Sequence, residues 1–431
     1  MVALHLSPFS CAIDAPLLKS TFRLLGTSSP NRLRLYHGAV SIFLLRFIQI
    51  GMSLVATYFL VRSMSKDAFG EYNMVLNMVG ILTIFSLSGL NNSLMQAVAR
   101  GYTGTYRATV PIAFGSSFLG SAVLLGVAGW YWMQGEAQFG QGLLIAAILF
   151  PFAYGLVQWK SVITGSGKFG QLLIHDGFTS VLTYSLIIAA VQMFPGLYVI
   201  PIVLALLVPA IYNIVLTAAK FRQIPVDAAV EEQNLRYGIK TTFYSGLGAI
   251  GSNLDRALLF FFMSPAALAV FVAAGRIPDL LSGAMQDVSA VLAPRMAKHE
   301  SYTKKLDRIF ALLSLMYGGI IVLFAFTALP FVVTLLFGND YVDAIPYAQA
   351  MTCSAAIGYL ANLRFRFIRS RIDARGFRDI TLISSAVRFG AFLLLVPPFG
   401  LVGAVISTFI YKLALMSIVR VAIKRHYVVV V

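Results

Sequence analysis

The chain has 431 residues; 58% are hydrophobic, only 12% are charged, and the net charge is +16. Soluble domains carry roughly 25% charged residues, so a soluble fold is excluded. A nucleic-acid partner is excluded too, because the basic residues sit in short segments between long apolar runs. Those runs do not alternate as barrel strands do over roughly ten residues, which leaves an all-α polytopic membrane protein.

In chain order, residues 1–39 form a basic leader without the apolar core and cleavage site of a secretory signal. Leu17, Leu18, Leu24 and Leu25 beside Lys19 and Arg23 give it a weak amphipathic pattern, and a disordered leader is the plainer reading. Twelve apolar runs follow, each of about the length needed to cross a core of roughly 30 Å as a helix. Spans one to six are placed at 40–61, 72–95, 108–132, 139–159, 177–195 and 197–219. Spans seven to twelve are placed at 241–262, 268–293, 309–330, 344–363, 379–397 and 400–419. The ninth run continues through Pro330 to Phe337, which predicts a kink or a partial re-entry.

Lys and Arg favour cytoplasmic loops. With the N-terminus inside, most of the 33 basic residues fall on that side, including Arg100, Arg107, Lys160, Lys168 and the run from Arg364 to Arg378. The opposite loops then hold Arg62 and Lys66. Both ends are therefore expected in the cytoplasm. The polar segment 220–240 divides the chain into two halves of six spans, 40–219 and 241–423, followed by a tail at 424–431. Two halves that both start inside are parallel repeats about an axis along the membrane normal.

No nucleotide-binding, metalloprotease or hydrolase motif is present. Gly165-Ser-Gly-Lys168 lacks the remaining residues of a phosphate loop and lies in a short inter-span turn. Cys11 and Cys353 have no ligand spacing. Neither an enzyme nor a bound cofactor or metal is expected. Trp130, Trp132 and Trp159 lie near span ends, where an interfacial belt is the ordinary expectation.

Charges within spans are costly and mark function by default. The basic ones are Arg46, Arg256, Arg276, Arg388 and Lys412; the acidic ones are Asp255, Asp279 and Asp287. Arg276, Asp279, Gly283 and Asp287 recur every three or four residues, which draws one stripe down span eight. At ~1.5 Å per residue, Arg256 and Arg276 lie ~9 and ~12 Å from the outer ends of their spans, so the polar faces of spans seven and eight are expected to meet. The bland reading pairs Asp255 and Asp279 with Arg276 to hold the two helices together. Five bases exceed three acids, however, and an unpaired buried cation is expensive, so the excess points to water access or an anionic ligand. Arg46 and Lys412 have the further option of snorkelling to an interface. Asn91, Asn92 and Asn253 are candidate cavity polar groups.

Ser65-Lys-Asp-Ala-Phe-Gly-Glu-Tyr72, Ser252-Asn-Leu-Asp-Arg256, Pro294-Arg-Met-Ala297, Phe337-Gly-Asn-Asp-Tyr341 and Gly400-Leu-Val-Gly-Ala404 occur in that order over nearly the whole chain. Together they resemble the Wzx-like polysaccharide and O-antigen flippases, a branch of the superfamily that includes the MATE drug exporters. The resemblance implies two six-helix lobes around a central cavity lined by spans one, two, seven and eight. It implies an oligosaccharide on a polyprenyl diphosphate as cargo, moved across a bacterial inner membrane among membrane lipids, with polysaccharide polymerase and glycosyltransferases as possible partners. Asp255 and Arg256 match the family positions, Arg276 less closely. On this reading Arg256, Arg276, Arg46, Arg388 and Lys412 hold the diphosphate, while Asp255, Asp279 and Asp287 bind a coupling cation or tune the arginines. A cation-coupled multidrug antiporter and a non-transporting scaffold of a polysaccharide synthesis complex remain as alternatives.

Overall fold

The structure, a computed structural model, describes residues 29–298, 302–370, 374–426 and 429–430. Most of the leader, 1–28, lies outside the described residues. Nearly everything described is helix. Tyr302–Thr303 and Val429–Val430 add one short parallel pairing.

Nine helical segments among the described residues are long and apolar enough to cross a membrane. Twelve crossings follow from three particulars. The segment Asp379–Ile423 has 45 residues, or ~68 Å of helix, which is two crossings. Its helix breaks at Gly400, whose φ of 57° and ψ of −133° are open to glycine. Two further long helices, Glu232–Phe262 and Ala344–Ser370, are less apolar than these nine. The first carries Asp255 and Arg256, and the second carries Gln349, Thr352 and Ser354 among its apolar residues. Large apolar side chains such as Leu119, Ile174, Leu315 and Leu394 stand exposed along the spans, as helices bathed in lipid require.

Several spans are broken. Span two runs as Lys66–Leu82, a 3-10 turn over Thr83–Ser86, and Ser88–Ala99. Between the pieces Leu87 adopts φ 54° and ψ 54°, a left-handed conformation that is uncommon for a branched side chain. The Ser116 hydroxyl donates to the carbonyl of Phe85 at 2.7 Å, so the interrupted backbone is satisfied by protein rather than left facing lipid. Span four pauses between Ala137–Tyr154 and Trp159–Gly165. Span nine breaks at Ala328, just before Pro330, into Lys304–Thr327 and Leu329–Phe337. That is the kink expected from its proline.

The loops sort by parity. The Arg62 guanidinium donates to the Leu335 carbonyl at 3.3 Å, and Lys66 pairs with Asp343 at 2.8 Å. The Asp67 carboxylate accepts from the Ala266 backbone N–H at 3.1 Å, and Gly196 N–H donates to the Ser63 carbonyl at 3.0 Å. The loops after spans one, five, seven and nine therefore meet at one end. At the other, more basic end Arg100 pairs with Glu231 at 2.9 Å, Gly104 N–H donates to Ala229 at 3.1 Å, and Arg364 pairs with Asp307 at 2.8 Å. The Arg107 guanidinium caps the carbonyls of Phe221 and Ile224, closing the C-terminal end of span six. Burial pushes the phenol of Tyr341 up from its ordinary value, reinforced by the carboxylates of Asp343 and Asp340. It therefore stays neutral under the Lys66 ammonium, 5.2 Å above its ring.

Span two is the shared wall between the halves. Its first piece packs on the helices of spans seven and eight, and its last on span seven. Span one packs on span five, span four on spans three and six, and span ten on spans eight, nine and the paired final spans. The exposed Lys66–Asp343 pair links the two halves, yet exposed pairs are worth roughly 0–1 kcal/mol. A double-mutant cycle with Lys66→Ala and Asp343→Ala, read by thermal unfolding, is expected to return a coupling under about 1 kcal/mol.

Candidate functional site: a basic cavity in the second half

One polar cavity holds ≈ 530 Å³ and gathers charges from five spans. Span one contributes Arg46, span seven Asn253, Asp255 and Arg256, span eight Asp279, span eleven Arg388 and span twelve Lys412. Among the described residues, four basic and two acidic side chains thus share one chamber. Seven of the expected site residues are brought together here. The cavity differs from expectation in its walls: spans ten, eleven and twelve contribute, while span two does not.

The ion pairs also differ from expectation. Asp255 pairs with Arg388 rather than Arg276, and the carboxylate is buried, 6% exposed against 23% for the guanidinium. The other oxygen of Asp255 accepts from the Arg256 backbone N–H at 2.9 Å. Asp279 meets Arg256 at 3.4 Å, with the two side chains 67% and 37% exposed to the chamber. Arg388 and Lys412 flank the ring of Tyr411 at 5.2 and 5.1 Å. That aromatic face offsets part of their mutual repulsion. Lys412 lies across Gly358 of span ten, where an added Cβ would stand 2.9 Å from its Cδ. It does not snorkel to an interface. Arg46 is exposed and reaches towards Gly283 on span eight.

Arg276 is the main departure. It projects from a neighbouring face of span eight into a separate cavity of ≈ 180 Å³ with Ser53, Thr57, Tyr72, Asn73 and Tyr184. Its guanidinium donates to Ser53 and, at 3.5 Å, to Thr57, while its Nε is buried without a hydrogen-bond partner. Three residues at ~100° each leave positions 276 and 279 about 60° apart around the helix, so the stripe drawn from the sequence was broad enough to split between two chambers. Asp287 lies on the helix Pro265–Lys298, and its side chain is outside the described residues. Asn91 and Asn92, on Ser88–Ala99, are not among the residues lining these cavities.

A third cavity of ≈ 400 Å³ lies within the first half, lined by Gln49, Lys160, Asp176, Ser180 and Asn213 among others. Asp176 pairs with Lys160, and Gln49 donates to it at 3.3 Å. Sequence reasoning missed this site because Asp176 falls one residue outside the span placed at 177–195. The polar stripe Asp176, Thr179, Ser180, Thr183 at helical spacing was the available signal. Trp159 faces the same chamber, buried, and donates to Asn213 at 2.9 Å; only Trp130 and Trp132 are exposed as a belt requires. Among the described residues no group of three or more His, Cys, Asp or Glu side chains could hold a metal ion.

A protein-family model described as a polysaccharide biosynthesis protein matches residues 59–346. The chain belongs to that family. No curated protein matches it significantly. Solved structures are similar over nearly their whole length. The lipid II flippase MurJ in its inward closed conformation has a TM-score of 0.67 at 12% identity, covering 90% of this chain and 87% of that one. An inward-facing multidrug MATE transporter of the MOP superfamily has 0.63 at 14%, covering 90% and 98%. The Vibrio cholerae MATE transporter VcmN, in a mutant form, has 0.61 at 16%, covering 94% and 98%. At these identities the likeness shows the fold, that of a multi-pass MATE-like membrane transporter.

Proposed function

We propose that this protein moves an oligosaccharide, carried on a polyprenyl diphosphate, across a bacterial inner membrane by alternating access. The observation that carries the reading is the chamber lined by Arg46, Arg256, Arg388 and Lys412, in which, among the described residues, Arg256, Arg388 and Lys412 outnumber Asp255 and Asp279. A diphosphate is a compact polyanion, and guanidinium groups match phosphate oxygens in charge and geometry. A cavity inside an apolar bundle keeps such a headgroup out of hydrocarbon. Membership of a polysaccharide biosynthesis family supports a sugar-bearing cargo.

On this reading 40–219 and 241–423 are the two lobes, 220–240 joins them, and 1–39 and 424–431 lie in the cytoplasm. The interlocked loops around Lys66 and Asp343 then belong to the outer side, closed in this conformation. Arg276, in its own chamber beside Leu60, Phe69 and Phe337, is a second anion station nearer the outer side. The chain acts as a carrier, without catalysis or cofactor, and works beside glycosyltransferases and a polymerase.

The test is genetic and chemical. Deleting the gene is expected to abolish the surface polysaccharide and to accumulate lipid-linked repeat units in the cytoplasmic leaflet. Arg256→Gln with Lys412→Gln is expected to reach normal membrane levels yet restore under about a tenth of the polymer, the order of effect expected from losing charged contacts to phosphate. Normal polymer and no accumulation, in a strain without a second flippase, would refute the reading.

A further inference from the structure

We propose that Asp279 is a resident competitor for the anionic headgroup: in the unloaded protein its carboxylate occupies the Arg256 guanidinium that the cargo's diphosphate takes over on binding. The inference rests on the reading of the basic cavity given above and assigns its two carboxylates opposite roles.

The geometry separates them. Asp255 is buried, close to Arg388, and tied to its own helix by the Arg256 backbone N–H. Removing it from Arg388 would strand a charge in protein. Asp279 is 67% exposed in an open chamber, and its contact with Arg256, itself 37% exposed, is long at 3.4 Å. A pair so open and so stretched is worth little and is readily exchanged. Cations line the chamber around Asp279 from several elements. Arg256 beside Asp255 comes from span seven, Arg388 from span eleven, and Lys412 with Tyr411 from span twelve, while Arg46 of span one shares the lining. Span ten adds Met351 and Ala355 to the same lining.

The face of span eight around it is small-residued, with Gly275, Pro278, Ser282 and Gly283 lining the chamber. Gly275 and Gly283 lie one turn to either side, and a Cβ at Gly275 would stand 3.9 Å from the Asp279 carboxylate. The glycines leave the carboxylate open on two sides, with Pro278 and Ser282 beside it on the same helix, so a phosphate approaching Arg256 meets it directly. A carboxylate and a phosphate offer the same kind of acceptor to a guanidinium. The diphosphate carries more charge and can reach several of the cations at once, so it displaces the carboxylate. The carboxylate left beside it then repels it. Asp279 occupies Arg256 until the cargo arrives and weakens retention of the loaded anion, which favours release.

The experiment titrates the purified full chain in lipid nanodiscs with farnesyl diphosphate, followed by calorimetry. Asp279→Asn keeps the shape and removes the charge. It is expected to bind roughly tenfold more tightly than the wild type, the size of one unit charge removed from beside a polyanion in a partly wet cavity. Adding Arg256→Gln to Asp279→Asn should erase most of that gain, because the gain works through Arg256. Should Asp279→Asn fail to yield monodisperse protein, Asp279→Ser carries the same comparison. Equal or weaker binding by the variant, with clear binding by the wild type, overturns this inference and leaves the cavity reading intact. Binding by neither overturns both.

Discussion

Asp255→Ala is expected to destabilise the protein by roughly 3–5 kcal/mol, the usual consequence of breaking one side of a buried ion pair. The mechanism is specific. Arg388 sits in mid-span, 23% exposed, and its carboxylate partner is Asp255 on a different helix. Remove the acid and a guanidinium remains in the bundle beside Lys412, with the Tyr411 ring and the more distant Asp279 to offset it. Removing both charges behaves differently. Asp255→Ala with Arg388→Met replaces the pair by apolar groups, which is often neutral or stabilising. Thermal unfolding of the purified protein is expected to show a large drop for the single substitution and recovery of most of it in the double. A double variant as unstable as the single would show that Asp255 acts through its helix rather than through Arg388. The pair also joins span seven to span eleven, so it sets the position of Arg256 one residue further on.

Gly70→Val is expected to force the two halves apart at the end where Lys66 meets Asp343. Gly70 lies on span two against the first residue of span eight, and a Cβ there would overlap the Pro265 carbonyl. The obstacle is backbone, at a helix start already fixed by the Asp67 carboxylate on Ala266 N–H and by Ser264 on Ala267 N–H. No rotamer change relieves it. Overpacking of this kind costs about 1–3 kcal/mol, which converts to a shift of roughly tenfold in a two-state equilibrium. The measurement is cross-linking between cysteines placed at Lys66 and Asp343 with a short bifunctional thiol reagent. Its yield is expected to fall severalfold in Gly70→Val. An unchanged yield with unchanged stability would mean that this contact is not part of the closed state.

Much of the architecture could be read from the residues because membrane folding imposes strong, local rules. Long apolar runs must be helices, since hydrocarbon offers no partner for an open backbone. Pro330 announced the break in span nine, and the separate runs 379–397 and 400–419 anticipated a break between the last two spans, which falls at Gly400. The break at Leu87 carried no such mark: a leucine with positive φ is held by its surroundings, here Ser116 on the Phe85 carbonyl, and not by its own preference. Trp159 lies near a span end, where an interfacial position is expected, yet its hydrogen bond goes to Asn213 on a helix over fifty residues away.

The sequence by itself determined which charges had to be accounted for. Ionisable residues inside spans are conspicuous against an apolar background, and Arg46, Asp255, Arg256, Asp279, Arg388 and Lys412 all returned as the lining of one cavity. Only the tertiary structure decided how they pair. Helical periodicity fixes a side chain's direction around its own axis but not which neighbour stands there, so Asp255 was free on paper to meet Arg276. Packing turned it to Arg388 instead, placed Asp279 on Arg256, and sent Arg276 alone into a second chamber. Depth in the membrane is a one-dimensional quantity that the chain encodes directly. Azimuth between helices is settled by packing, and it is azimuth that separates a structural ion pair from an exchangeable one.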